Sequence, residues 1–260
     1  MPNIPVRSYE EDVIQRLNHI SYSGLRNVTL VGAEEQKYPL YSFDLSYSED
    51  KPLVLITAGI HGDEPAGVYA VLRFLEEKVN DYIDRYNFLI FPCLNPFGFI
   101  FDKRENIDGI DINRSFIENN SLVSSYIISR LPHYNQFLFA LNLHEDNSSL
   151  EVPGFSCSDN PGGFFIYEYH SNGFTMAKQI ISKLRDDGFE ICDDMQIYDD
   201  KNDNGVVFSR SVDGELEFFL ERYTKNIITT ETPTSWDLEQ RVSTQLLSIL
   251  ASLEVSNCLL

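Results

Sequence analysis

The sequence predicts an α/β fold in which a sheet carries helices on both faces. Three apolar runs have the composition of buried strands, and helical patterns lie between them. The runs are 53–60 (LVLITAGI), 87–93 (NFLIFPC) and 137–143 (FLFALNL). A strand–helix–strand order joins parallel strands by crossover helices, so we expect a three-layer α/β/α architecture with a mixed, largely parallel central sheet.

Apolar residues at spacings of three and four predict the helices, and alternation predicts further strands. We expect helices over 9–20, from Pro65, through 126–131, over 176–185 and from Ser235, and strands over 38–45 and 226–230. Thr234 and Asp237 have the spacing of a capping box at the start of the last helix. Residues 186–215 are rich in Asp and Glu and show little periodicity, so they predict a surface loop region.

The chain has 260 residues, of which 43% are hydrophobic, enough for a full core. No repeat, low-complexity tract or Pro/Gly-rich linker divides it, so we expect a single domain over 1–260. Its 20 basic and 40 acidic residues give a net charge of −20. Without a basic stripe there is no counterion release on phosphates, so nucleic acids and anionic membranes are not expected partners.

The sequence also predicts a cytoplasmic protein. The first residues lack the basic-then-apolar order of a signal peptide. The longest uncharged stretch, 87–101, is interrupted by Asn95, Pro96 and Gly98 and is too short to span a bilayer. The four cysteines are widely spaced, so we expect free thiols at Cys93, Cys157, Cys192 and Cys258.

Polar groups follow the predicted strands at their C-terminal ends, where an open α/β sheet binds its ligands. His61 and Glu64 follow the first run, and His144 ends the third. Each alone also fits a structural role, the histidines bonded to backbone and Glu64 favoured at a helix N-terminus. Together, two imidazoles and one carboxylate make a His₂Glu set that holds zinc and leaves a position open for water, as a hydrolytic site requires.

Two further clusters carry charge. The loop after the second run contains Arg104, Asn113 and Arg114, which either form a solvated surface or face an anionic substrate and its oxyanion. Glu231 lies where a strand meets Pro233 and the last helix. It either favours the positive end of that helix or acts as a general base.

These motifs together resemble the zinc carboxypeptidase family, the metallopeptidases of the carboxypeptidase A type. The matching segments are H-G-D-E at 61–64, R-x-N-x-x-G-x-D-x-N-R at 104–114, L-H at 143–144 and E-T-P at 231–233. They occur in the family's order and span most of the chain. H-x-x-E alone is a weak signal, whereas the long arginine motif with the other three in order is strong.

The resemblance implies a zinc carboxypeptidase-like catalytic domain with one Zn²⁺ ion per chain. It implies three ligands for that ion: His61, Glu64 and His144. It further implies that Glu231 activates the zinc-bound water and that Arg104 polarises the scissile carbonyl and stabilises the oxyanion. Asn113 and Arg114 would hold the terminal carboxylate of the substrate.

Two residue assignments stay open. The family's carboxypeptidases have a tyrosine that closes over the substrate, and three are candidates here: Tyr167, Tyr198 and Tyr223. Glu145 and Asp146, next to His144, either support the metal indirectly or bind a second cation. The metal and the two arginines would also make the site locally positive, which predicts a substrate with a free carboxylate.

The leading hypothesis is a zinc-dependent metallocarboxypeptidase that hydrolyses a C-terminal peptide bond. A murein-peptide amidase is an alternative on the same side of the comparison. The alternative is an N-acyl amino acid deacylase resembling succinylglutamate desuccinylase and aspartoacylase. Those relatives carry a further domain after the catalytic glutamate, whereas 29 residues follow Glu231 here, which favours the carboxypeptidase. A non-catalytic binding module is the third hypothesis, and the complete set of ligands and base argues against it.

Overall fold

The computed structural model describes most of the chain, namely residues 4–20, 25–32, 37–45, 48–134, 136–146, 162–169, 175–198, 200–209 and 211–260. Ten strands lie in this part: β1 (Leu25–Val31), β2 (Tyr38–Leu45), β3 (Leu53–Ala58), β4 (Asn87–Phe91), β5 (Phe139–Asp146), β6 (Phe165–Tyr169), β7 (Gln196–Ile197), β8 (Asp200–Lys201), β9 (Val206–Ser209) and β10 (Ile227–Pro233). Eight form one sheet in the order β1-β2-β4-β3-β5-β10-β6-β9, and β7 pairs with β8 in a separate hairpin.

The central sheet is mixed and largely parallel, as the sequence predicts. The pairs β4–β3, β3–β5, β5–β10 and β6–β9 are parallel. The pairs β1–β2, β2–β4 and β10–β6 are antiparallel. The C-terminal ends of β3, β5 and β10 therefore meet at one edge of the sheet.

The described helices are α1 (Gln15–His19), α2 (Pro65–Arg73), α3 (Pro96–Phe101), α4 (Leu122–Arg130), α5 (Met176–Asp186), α6 (Leu216–Leu220) and α7 (Leu238–Val255). A π-helical turn, Glu10–Ile14, precedes α1, and the turns Phe74–Lys78 and Val79–Asp81 continue α2. Single 3₁₀ turns span Ile112–Arg114, Leu131–His133 and Ser256–Leu259.

Helices cover both faces of the sheet and make three layers. One apolar cluster joins α2, α5 and α7 to side chains such as Ile56 and Ile228. The other joins α4 and α6 to side chains of the opposite face, such as Leu55 and Ile227. Because side chains alternate along a strand, consecutive residues of β3 and β10 serve the two cores, which explains why these runs are apolar throughout.

Two local predictions are wrong. Residues 186–215 are not only a loop, since they contain β7, β8 and β9, the last of which is the edge strand of the central sheet. A strand of four residues between acidic turns is too short to show periodicity. The last helix begins at Leu238, and Asp237 rather than Thr234 is its cap, with a side chain that accepts a hydrogen bond from the Gln240 amide.

The last helix with its 3₁₀ extension, Leu238–Leu259, is long and apolar enough to cross a membrane by length and composition alone. More than half of its apolar window, 56%, is buried inside the molecule. It packs on α2, α5 and β10, as the core helix of a soluble protein does.

Three of the cysteines predicted as free thiols, Cys93, Cys192 and Cys258, are free. Burial raises the pKa of Cys93 to about 12, so this thiol is unreactive near neutral pH. Cys157 lies outside the described residues.

Candidate active site

The edge where β3, β5 and β10 end carries the predicted metal ligands and base. His61 and Glu64 lie on the turn between β3 and α2, and His144 lies on β5. Glu231 on β10 is paired in register with His144. Since β5 lies between β3 and β10, the topology brings together residues that are up to 170 positions apart.

Both histidines turn the same ring nitrogen toward Glu64. His61 Nδ1 lies 2.7 Å from Glu64 Oε1, and His144 Nδ1 lies 2.9 Å from Glu64 Oε2. The possible ligand atoms of the three residues all lie within 4.8 Å of one another, and the three side chains are buried. This is the sole His/Cys/Asp/Glu group with metal-ligand spacing in the part of the chain that the structure describes.

The donor set fits zinc. Two neutral imidazoles and one carboxylate form a hydrolytic zinc site with a position left for water. Burial raises the pKa of Glu64, but the two histidines outweigh it and hold that pKa well below its usual range. Burial lowers the pKa of His61, yet Glu64 and Asp111 more than offset this and raise it to about 9. A cation between these groups would replace the proton that His61 holds.

Asp111 joins the metal triad to Arg104. His61 Nε2 lies 3.3 Å from Asp111 Oδ1, and Arg104 Nε donates to Asp111 Oδ2 at 3.0 Å. Arg104 Nη1 lies 3.7 Å from Glu64 Oε1, and the Arg104 side chain is 40% exposed. Its guanidinium therefore reaches the metal triad and still faces the cleft.

Asn113 and Arg114 line the same cleft but already have protein partners. Arg114 Nη1 lies 3.1 Å from Glu215 Oε1, and the Arg114 side chain is 49% exposed. The Asn113 side chain accepts a hydrogen bond from the backbone N–H of Leu216 through Oδ1 and donates one from Nδ2 to Glu217 Oε2 at 3.4 Å. A substrate carboxylate at Arg114 would have to compete with Glu215.

Glu231 lines the cleft, and its carboxyl group is a much weaker acid than an ordinary glutamate. Burial, together with the charges of Glu64 and Asp146, raises its pKa well above the usual range. In this state the carboxyl group holds its proton, so it can act as a base only when a nearby cation lowers its pKa. A cation at the metal triad would counter the repulsion from Glu64.

Two of the three candidate tyrosines reach the cleft, Tyr167 and Tyr198. Tyr223 packs on Phe137 and Phe219 instead, so it is not a closing tyrosine in this structure. Tyr198 lies between β7 and β8 at a φ of 50°, and its hydroxyl donates to Asp146.

Glu145 and Asp146 point to opposite sides of β5. Glu145 lies between α7 and α2, since it pairs with Arg241 of α7 and accepts from the backbone amide of Ala66 on α2. Both residues line the cleft, and neither belongs to the metal-spaced group. Alternation along the strand thus separates the two carboxylates that the sequence places side by side.

The cleft, of about 410 Å³, is anionic rather than locally positive. It contains two arginines, Arg104 and Arg114. Its carboxylates are Asp63, Glu64, Glu145, Asp146, Asp200, Glu215, Glu217 and Glu231. The prediction of a locally positive site is wrong. Arg114 is paired with Glu215, and the segment 215–217, which lies outside the recognised motifs, adds two carboxylates to the cleft.

Sequence reasoning missed Asp111 and Glu217. Asp111 is part of the arginine motif, so its place there was a usable signal. Glu217 lies in the apolar helix LEFFL, and an acidic residue at a buried helical position was its signal.

Residues 50–157 match the family model of the succinylglutamate desuccinylase/aspartoacylase catalytic domain. Carboxypeptidase SOL1 of Arabidopsis thaliana is 27% identical over 129 residues, which are 45% of this chain and 25% of that protein. The chain therefore spans about a quarter of the length of this curated relative.

Solved structures share the fold. A candidate metallopeptidase from Shewanella denitrificans has a TM-score of 0.75 at 23% identity, over 95% of this chain and 88% of that chain. A metallo-carboxypeptidase from Pseudomonas aeruginosa, in complex with (2-guanidinoethylmercapto)succinic acid, has a TM-score of 0.63 at 16% identity, over 95% and 68%. The comparisons confirm the resemblance to the zinc carboxypeptidase-like family, and the solved structures share its three-layer fold.

Proposed function

We propose that this chain is a zinc-dependent hydrolase that cleaves an amide bond in a substrate with a free carboxylate, with a C-terminal peptide bond as the leading target. The observation that carries the proposal is the meeting of three ligands, a base and a guanidinium in one cleft. His61, Glu64 and His144 converge within 4.8 Å, and Arg104 and Glu231 line the same cavity. A binding module needs neither of the last two.

Zinc would be held by the two Nδ1 atoms and the Glu64 carboxylate. When bound, it would polarise a carbonyl as a Lewis acid and lower the pKa of a nearby water. Asp111, 3.3 Å from His61 Nε2, would hold the His61 ring in place.

The remaining groups of the cleft would move the protons and bind the charges. Glu231 would accept a proton from the attacking water and pass it to the leaving amine. Arg104 would donate to the oxygen that becomes negative as the carbonyl is attacked. Arg114, assisted by Asn113, would bind the substrate carboxylate in exchange for Glu215.

An N-acyl amino acid deacylase is the second candidate, because residues 50–157 match the catalytic-domain model of that group. Both candidates need the same ligands, base and free carboxylate, and they differ in what lies on the acyl side of the bond. The ligand of the Pseudomonas relative, a substituted succinic acid, supports a carboxylate-bearing substrate. A cytoplasmic location and a single catalytic domain over 1–260 stay predictions.

The test is a substrate panel with zinc-loaded protein. It contains C-terminal peptides with a blocked N-terminus, N-acyl amino acids and γ-D-glutamyl peptides. Hydrolysis of the first set supports the carboxypeptidase, and hydrolysis of the second alone supports the deacylase. Hydrolysis of none, with zinc bound, would replace both candidates with the binding module.

A further inference from the structure

A second buried carboxylate, that of Glu217, lies beneath the metal triad. Glu217 is on α6 and is 2% exposed. Its Oε1 lies 3.9 Å from His144 Nε2, on the side of the ring opposite to the Nδ1 that faces Glu64. Among the described ion pairs, His144 is the sole basic partner of Glu217.

Neutral donors hold Glu217 in this place. Its Oε1 accepts from Asn142 Nδ2 at 2.8 Å and from Thr229 Oγ1 at 3.0 Å. The Asn142 amide oxygen in turn accepts from Thr57 Oγ1 at 2.7 Å. Thr57, Asn142 and Thr229 are paired in register on β3, β5 and β10, so they form a polar row across the sheet.

This polar row lies directly below the site. Asn142 and Thr229 are two residues before His144 and Glu231 on their strands, so all four side chains share one face of the sheet. The neighbouring apolar residues of that face belong to the core with α6. A glutamine or a leucine would fill this place in a core at a lower desolvation cost than a carboxylate does.

We propose that Glu217 is a positioning residue that orients His144 for metal binding. Histidines that bind metals through one ring nitrogen donate the other N–H to a carboxylate or carbonyl, which fixes the ring and raises its basicity. His61 has Asp111 in this place at 3.3 Å, and Glu217 is the corresponding carboxylate for His144, in ion-pair contact at 3.9 Å rather than at hydrogen-bond distance. The inference rests on the metal site of the proposed function, not on its substrate.

The test compares the zinc dissociation constants of wild type and of Glu217→Gln, measured by chelator competition. The substitution keeps the shape of the side chain and an acceptor for Asn142 and Thr229, and it removes the charge. We expect zinc binding about 10- to 100-fold weaker, while the Tm of the metal-free protein stays equal or rises.

The matched control is Glu215→Gln, which removes a carboxylate of the same cleft wall. Glu215 pairs with Arg114, and no ion pair joins it to His144 among the described residues. We expect its zinc dissociation constant to change by less than threefold. Equal zinc affinity in wild type and Glu217→Gln would overturn the proposal, as would a loss of affinity that the control shares.

A wild-type measurement keeps the proposal testable if Glu217→Gln does not fold. In zinc-loaded protein, we expect a slowly exchanging, downfield Nε2 proton on His144 by NMR. A His144 Nε2 proton that exchanges freely with water would contradict the role of Glu217. Failure of wild type to bind zinc at all would instead overturn the proposed function.

Discussion

At the scale of single residues, Glu64 organises the site. Its two oxygens face two imidazole nitrogens at 2.7 and 2.9 Å, so one carboxylate fixes the orientation of both rings before any metal arrives. The ionic contacts that hold these rings also hold a proton on His61, whose pKa is raised from 6.5 to about 9. Metal binding and proton release are therefore coupled.

Zinc binding should release a proton between pH 7 and 8. Below about pH 9, His61 in the metal-free protein is protonated, and zinc has to displace that proton, so zinc affinity rises about tenfold per pH unit in this range. Calorimetry in buffers of different ionisation enthalpy measures the number of protons released. A pH-independent dissociation constant would contradict this account of His61.

The same shift gives the metal-free protein a pH-dependent stability. A raised pKa stabilises the folded state fully below the unfolded value of 6.5, and this contribution is lost as the pH rises through about 9. We expect the Tm of the metal-free protein to fall over this window. The variant His61→Gln, which does not titrate, should show a smaller decrease.

At the scale of elements, the close contact between the β3–α2 turn and α3 fixes the position of His61. A Cβ at Gly62 would lie 2.0 Å from the carbonyl carbon of Gly98 and 2.3 Å from the Phe99 amide nitrogen. These are backbone atoms, so no side-chain rotation can relieve the overlap. Glycine is required here because two backbones pack directly on each other.

Gly62→Ala should therefore move the turn and weaken the metal site. We expect a loss of about 2 kcal/mol or more in the free energy of unfolding, and zinc binding weaker than in wild type. Denaturant unfolding and chelator competition measure the two effects. Gly162→Ala is the control, since a Cβ there meets nothing within 4 Å. Equal effects of the two substitutions would contradict the role of this contact.

The sequence predicts best those elements whose buried side chains form a clear apolar pattern. β3, β4 and β5 are buried on both faces and open with apolar runs. His61 follows β3 and His144 lies within β5, so both the strands and the ligands are visible in the sequence. β9 and α6 have four and five residues, too few for a periodic signal. Glu217 is on α6, and its approach to His144 is a tertiary contact across 73 positions that local patterns do not contain.

At the scale of the whole molecule, the net charge of −20 extends into the cleft. Eight carboxylates and two arginines line the cleft. In the described contacts, one further arginine, Arg241, reaches these carboxylates from outside the cleft, and it pairs with Glu145. One divalent cation leaves the cleft negative. Acidity therefore characterises the site itself, and a free carboxylate alone does not describe a well-matched substrate.

A substrate with a cationic side chain beside its carboxylate should be preferred. We expect kcat/KM for a peptide ending in lysine to exceed that for the same peptide ending in glutamate by about tenfold or more at low salt, with the ratio shrinking as salt screens the charges. Steady-state kinetics at several ionic strengths measure this ratio. A glutamate-ending peptide that is cleaved equally well would contradict the electrostatic account.

In the proposed function, His61, Glu64 and His144 hold one metal ion on which hydrolysis depends, and Glu231 is the base. The most direct measurement is a zinc titration of metal-free wild type and Glu231→Gln, with turnover of the best panel substrate recorded at each point. We expect wild-type activity to rise from zero and saturate at one zinc per chain, whereas Glu231→Gln should bind one zinc with similar affinity and stay inactive. Activity without metal, or retained turnover in Glu231→Gln, would contradict it.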